Sequence, residues 1–181
     1  MNKKRFYAVL LLLFLCLCTF SCKGKEPNYL AYLQKDFCAE VEGRIHGVDF
    51  CARIEVNTQI DPDGNDLPHK QISVTYLSPA ALEGIRVTIL KDLRSGTEKI
   101  TASLGEITLD LSRESVKGWV LPVESLLSVS KDALESLQKT EHGYRLVFSD
   151  GKILSVDEKG MPLSLESDEI SFSVTRIQPL E

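Results

Sequence analysis

From Phe37 onward, apolar and polar residues alternate in short runs, and the runs are separated by Gly, Pro, Asp or Asn. A spacing of two places all apolar side chains of a run on one face of an extended strand. Phe37, Ala39 and Val41 share such a face, opposite Cys38, Glu40 and Glu42. Phe50, Ala52, Ile54 and Val56 share another, opposite Cys51, Arg53 and Glu55. Gly43-Arg44-Ile45-His46-Gly47 lies between the two runs, so the pair reads as a hairpin. The pattern returns in 70–77 (Ile72, Val74, Tyr76), in 85–91 (Ile85, Val87, Ile89), and in 98–104 and 106–111 on either side of Gly105. It returns again in 143–148, 152–156, 161–166 and 169–177. The total is about nine strands, and their short links suit antiparallel neighbours. A sheet of this size, wet on one face and apolar on the other, must curl and have its hollow covered.

The period changes in 121–139. Val123, Leu126, Leu127, Leu134 and Leu137 recur at helical spacing, and Pro122 suits a first helical turn. Ser130 and Asp132 can open a second helix. Two short amphipathic helices are predicted, 122–128 and 131–138, as lids for the hollow. Residues 28–35 fit a short helix or an irregular lead-in, and 80–84 a single helical turn. The predicted class is mainly β (α+β), a curved antiparallel sheet with two or three short helices.

The first 22 residues read differently. Lys3, Lys4 and Arg5 precede an apolar run from Phe6 to Phe20, which has the length of a signal-peptide core and is short for a membrane span. Thr19-Phe20-Ser21-Cys22 resembles the lipobox of bacterial lipoproteins, with Ser21 as the small residue before the cysteine. Cys16 and Cys18 each follow a Leu and fit less well. The resemblance implies a diacylglycerol on Cys22, cleavage before it and fatty acylation such as palmitate. The expected organisation is a signal peptide at 1–21, a lipidated Cys22 with a tether to 35, and a single domain at 36–181. The expected location is the outer face of the cell membrane, or another envelope membrane.

Without residues 1–21 the 21 Lys and Arg fall to 18 against 26 Asp and Glu, a net charge of −8. An acidic body without a basic stripe excludes nucleic acid as an expected partner. Cys38 and Cys51 remain beside Cys22, and the hairpin register decides their relation. A turn at Arg44-Ile45 sets them face to face and allows a disulfide, which an exported compartment permits. A two-residue turn at His46-Gly47 sets Cys38 against Glu55 and Cys51 against Glu42, and Gly favours this turn. The loop Asp61-Pro62-Asp63-Gly64-Asn65-Asp66 invites a calcium reading, but Asp66 and Ile72 stand where an EF-hand needs Gly and Glu. It reads as a solvated turn. His46, His69 and His142 lie in or beside turns without a nucleophile motif, so neither an enzyme nor a metal or other cofactor is expected.

The order of elements resembles the LolA/LolB superfamily of lipoprotein carriers, which includes the LppX and LprG lipid-binding lipoproteins. The residues that carry the resemblance are Gly143-Tyr144-Arg145-Leu146-Val147-Phe148-Ser149-Asp150-Gly151, Val156-Asp157, Gly160-Met161-Pro162-Leu163-Ser164-Leu165 and the strand from Ile170 to Val174. Ser78 to Gly84 adds to it. The resemblance implies an open half-barrel with helices across a hydrophobic cavity that holds acyl chains. Phe37, Phe50, Ile54, Val74, Tyr76, Val87, Trp119, Leu126 and Leu127 are the candidate lining. The contrasting expectation is that they form a filled core, in an accessory lipoprotein that binds an envelope protein through its surface.

Overall fold

The computed structural model describes residues 28–59 and 69–180. Cys22 and the Asp-rich loop 61–66 lie outside the described residues. Among those residues eleven strands form one antiparallel sheet: β1 (Phe37–Ile45), β2 (Val48–Gln59), β3 (His69–Ser78), β4 (Arg86–Asp92), β5 (Glu98–Leu104), β6 (Ile107–Asp110), β7 (Leu134–Thr140), β8 (Gly143–Phe148), β9 (Ile153–Val156), β10 (Pro162–Glu166) and β11 (Ile170–Pro179). Two short helices, α1 (Arg113–Val116) and α2 (Leu121–Leu127), join β6 to β7.

The sheet consists of two meanders. β1 to β6 run outward in sequence order, the helices cross to the far side, and β7 to β11 run back until β11 pairs with β1. Strands β6 and β7 are therefore the two free edges, and the sheet is not closed. The β1–β11 ladder, from Phe37 against Pro179 to Ile45 against Ile170, is the seam between the meanders.

The first hairpin shows how sequence sets register. His46 and Gly47 both take positive φ, 49° and 82°, as a tight two-residue turn requires. Ile45 then pairs with Val48, Cys38 with Glu55, and Glu42 with Cys51. The inward row Phe37, Ala39, Val41 meets Val56, Ile54 and Ala52, and all six are buried. Gly43 answers a different demand. A Cβ there would lie 2.0 Å from the Ser171 carbonyl oxygen and 2.5 Å from the Phe172 Cα, so only glycine lets the seam close.

Helix α2 plugs the hollow. Pro122 stands in its first turn, and Leu121, Pro122, Val123, Ser125 and Leu126 are buried. Residues 29–34 brace it from the far side. The short 3-10 turn Ala31–Gln34 buries Tyr32, whose hydroxyl donates to the Leu126 carbonyl at 2.7 Å. Leu126→Ala is expected to lower unfolding free energy by about 2–5 kcal/mol, because it opens a cavity at a wholly buried position. A denaturant midpoint that does not move would show that α2 contributes little to the core.

Three expectations need correction. Residues 131–138 are not a helix but a 3-10 turn, Lys131–Ala133, followed by β7. The strands number eleven among the described residues rather than about nine. The tether drawn to residue 35 is too long, since Leu30 and Tyr32 are buried and Tyr29 packs edge-on against Tyr144 at 4.7 Å.

Candidate functional site

The concave face is filled beneath α2 but not at the end of the first meander. At β4–β6 cover thins out along the row: Val87 is buried, Ile85 and Ala102 are partly buried against the core, and Leu104, Ile107 and Leu109 have no second layer above them. Leu111, Ser115 and Trp119 close one side, leaving a hollow of about 420 Å³. Its lining is apolar apart from Ser103 and Ser115. Its rim is wet: Leu104, Ile107 and Leu109 are 52%, 67% and 59% exposed. A volume of several hundred Å³ with an apolar lining is typical of small-molecule sites.

Trp119 is fixed from below. Its carbonyl accepts from the Tyr76 hydroxyl at 2.9 Å, and its ring meets the Tyr76 ring edge-on with centroids 6.0 Å apart. Burial pushes the Tyr76 hydroxyl pKa up to about 12, which keeps the donor protonated. Helix α1 begins at Ser112, whose side chain accepts from the Ser115 N–H, and it is anchored by the buried Val116.

A second hollow, of about 570 Å³, flanks the other side of α1. It combines Ile72, Ile89, Leu121, Val123 and Leu127 with six charged residues. Arg113 joins Glu98 at 3.3 Å and also pairs with Glu124, while Lys91 reaches Glu98 at 3.8 Å. These ion pairs tie α1 and α2 to β4 and β5. Partly exposed pairs of this kind are worth about 0–1 kcal/mol each, so their effect is to position the helices. Lys152 pairs with Asp150 and contacts the Ser128 hydroxyl at 3.2 Å. The charges in this hollow largely neutralise one another, which makes it a poorer apolar site than the first.

The candidate residues separate into three groups. Phe37, Phe50, Ile54, Val74, Tyr76 and Leu126 are 0–4% exposed and belong to the filled core. Val87 and Trp119 line the apolar hollow, and Leu127 lines the charged one. Ile85, Ala102, Leu104, Ile107, Leu109 and Leu111 also line the apolar hollow, although none is among the candidate lining residues. Their signal was present in the even alternation of 107, 109 and 111 beside Gly105, with too few elements nearby to cover it.

Cys38 and Cys51 have free thiols on the opposite, polar face, in the register set by His46-Gly47. Burial, reinforced by Glu55 at Cys38 and by Glu42 at Cys51, pushes both thiols up, which keeps them protonated and weakly nucleophilic. Among the described residues no three His, Cys, Asp or Glu gather where they could hold a metal ion.

Several solved structures are similar to this chain at low identity. One is a domain described as an outer membrane lipoprotein-sorting protein from Vibrio parahaemolyticus, with 10% identity, 81% of this chain and 87% of that chain covered, and a TM-score of 0.42. Another is the MucA/MucB complex of Pseudomonas aeruginosa, with 18% identity and a TM-score of 0.45. There 85% of this chain is matched, and it spans only 56% of the other. A third is a DUF1329 family protein from Desulfovibrio piger, with 9% identity, 85% and 84% coverage, and a TM-score of 0.37. No family model matches the chain, and no curated protein does. An open antiparallel half-barrel with short helices in its hollow is what the sequence resemblance implied.

Proposed function

We propose that this protein is an extracytoplasmic lipoprotein, held to an envelope membrane through Cys22, that takes the apolar chain of a lipid or other acyl compound into the hollow between β4–β6 and Trp119. The observation that carries the reading is the exposed apolar rim of Leu104, Ile107 and Leu109 around a hollow that the core leaves unfilled. Exposed apolar surface of this kind is costly in water, and a bound chain would remove it. The size suits a single chain better than the several chains of a whole lipoprotein. The lining is apolar apart from Ser103 and Ser115, which supports a reading of binding.

Trp119 is the single tryptophan of the sequence, and it borders the hollow. Its emission therefore reports occupancy directly. A fatty acid carrying a quenching label, titrated into the chain from Lys23 onward, is expected to quench Trp119 saturably at about one equivalent. Ala102→Phe fills the hollow without touching Trp119's support and is expected to weaken binding at least about tenfold, on the scale of one lost apolar contact surface. Linear quenching without saturation, or equal affinity in both forms, would remove the acyl-binding role.

A second reading rests on the exposure of Leu104, Ile107 and Leu109. The same patch suits a protein surface in place of a lipid chain. It predicts no quenching by acyl probes and burial of these residues in a protein complex.

A further inference from the structure

We propose that β6 is a dimerisation edge: two copies of the chain pair antiparallel through it, about a twofold axis at Leu109, and continue the sheet from one molecule into the next.

The phase of the backbone is set by the hairpin. Ile107 pairs with Leu104 and Leu109 with Ala102, and the Leu111 N–H donates to the Ile100 carbonyl at 2.9 Å. In an antiparallel ladder the outward groups belong to the alternate residues. Thr108 and Asp110 therefore direct their N–H and C=O away from β5, at the open edge. All four residues of β6 are exposed, so nothing in the described chain covers that edge.

The two free edges of the sheet are treated differently. Strand β7 has a bulge between Leu134 and Ser136 and carries Glu135 and Lys139, devices that discourage pairing with another strand. Strand β6 reads Ile-Thr-Leu-Asp, straight, without Pro, Lys or a bulge. Its inward side chains, Ile107 and Leu109, are the most exposed of the apolar rim.

Charge selects the register and favours a second copy as the occupant. With the axis at Leu109, Leu109 meets Leu109, Ile107 meets Leu111, and Thr108 meets Asp110, so the outward groups bond and no acids oppose each other. With the axis at Thr108, Asp110 faces Glu106. With the axis at Asp110, two aspartates face each other. Like charges directly opposed across strands are destabilising. The strand is thus complementary to itself in one register, a property that pairing with an unrelated peptide does not require. Such an interface is isologous and closes at two copies.

The test places a cysteine at 108, 109 or 110 in the full-length chain, with Cys38→Ser and Cys51→Ser to remove the two free thiols of the domain, and the Cys38→Ser, Cys51→Ser chain alone as the control for dimers formed through Cys16, Cys18 or Cys22. Residues opposed in a non-hydrogen-bonded pair stand about 4.5 Å apart at Cα, within the disulfide range of about 4.4–6.8 Å. On mild oxidation in membranes, Leu109→Cys is expected to give at least about ten times more covalent dimer than Thr108→Cys or Asp110→Cys. Thr108→Pro removes an outward N–H without removing an inward one, and is expected to halve the mass found by light scattering while the circular dichroism stays unchanged. A single-chain mass for the unaltered protein at tens of micromolar, equal cross-linking at the three positions, or a dimer that survives Thr108→Pro would overturn the proposal. So would pairing of this edge with a different envelope protein. None of these results bears on acyl quenching of Trp119.

Discussion

Replacing Cys22 by Ala is expected to abolish incorporation of labelled palmitate and to leave residues 1–21 attached. Both effects follow from one thiol. The lipobox resemblance implies that the Cys22 Sγ would receive the diacylglycerol and that cleavage before it would follow lipid attachment. Two or three acyl chains hold a protein firmly, whereas one holds it marginally, since each buried methylene adds only about 0.8 kcal/mol. The change is therefore all or none, not graded. Intact mass spectrometry of the membrane fraction checks it: the unaltered chain should begin at a lipid-bearing Cys22, and the variant should carry Met1 or its immediate successor. Unchanged labelling in the variant would move the lipid to another residue, with Cys16 and Cys18 the nearest alternatives. Absence of label in the unaltered chain would remove the anchor altogether.

Gly43→Val is expected to prevent the domain from folding, and Gly43→Ala to cost at least about 3 kcal/mol, in the range reserved for overpacked sites. Even the smaller side chain would place its Cβ 2.0 Å from the Ser171 oxygen. The obstacle is backbone, not a side chain that can rotate aside. Relief requires β1 and β11 to separate, and that ladder joins the two meanders. Total stabilities of about 5–15 kcal/mol leave little margin for such a loss. Gly105→Ala gives the comparison. Gly105 also has positive φ, 59°, but nothing lies within 4 Å of its Cβ position. Its change should cost only the about 1–2 kcal/mol of a left-handed backbone. Denaturant titration of both variants would separate the effects. Similar midpoints for Gly43→Ala and Gly105→Ala would show that the seam yields more easily than its geometry implies.

The sequence carried the fold through its alternation and its turns. His46-Gly47 set the first register to the residue, and Gly105 marked the β5–β6 hairpin. The failure at 131–138 has a definite cause. The bulge in β7 inserts Glu135 between two inward positions, so Leu134 faces Phe148 and Leu137 faces Leu146 although they are three residues apart. A spacing of three in a bulged strand is indistinguishable from one turn of helix when only the apolar positions are read. Helix α1 escaped notice for another reason. It has four residues, too few for any period to show, and only Ser112 marks its start.

The site was less legible than the fold. Apolar residues at strand spacing look the same whether a helix covers them or nothing does. Phe37 and Leu126 were expected beside a ligand and lie in the closed core, whereas Ile107 and Leu109 lie in the open hollow. What distinguishes them is position in the sheet. The central strands sit under α2, and the outer hairpin lies beyond its reach. That order depends on β11 returning to β1, a long-range pairing that no local pattern announces.

The same return has a kinetic consequence. Phe37 finds its neighbour in Pro179, so the middle of the sheet cannot exist until nearly all the described chain is available. Each meander can assemble from nearby residues, but each then exposes a sticky inner strand, β1 or β11, waiting for the other. Non-local pairing of this kind slows folding toward the range of milliseconds to seconds. A chain cut short before β11 would hold two half-sheets with no common spine and would be prey to proteases and to association with its own kind.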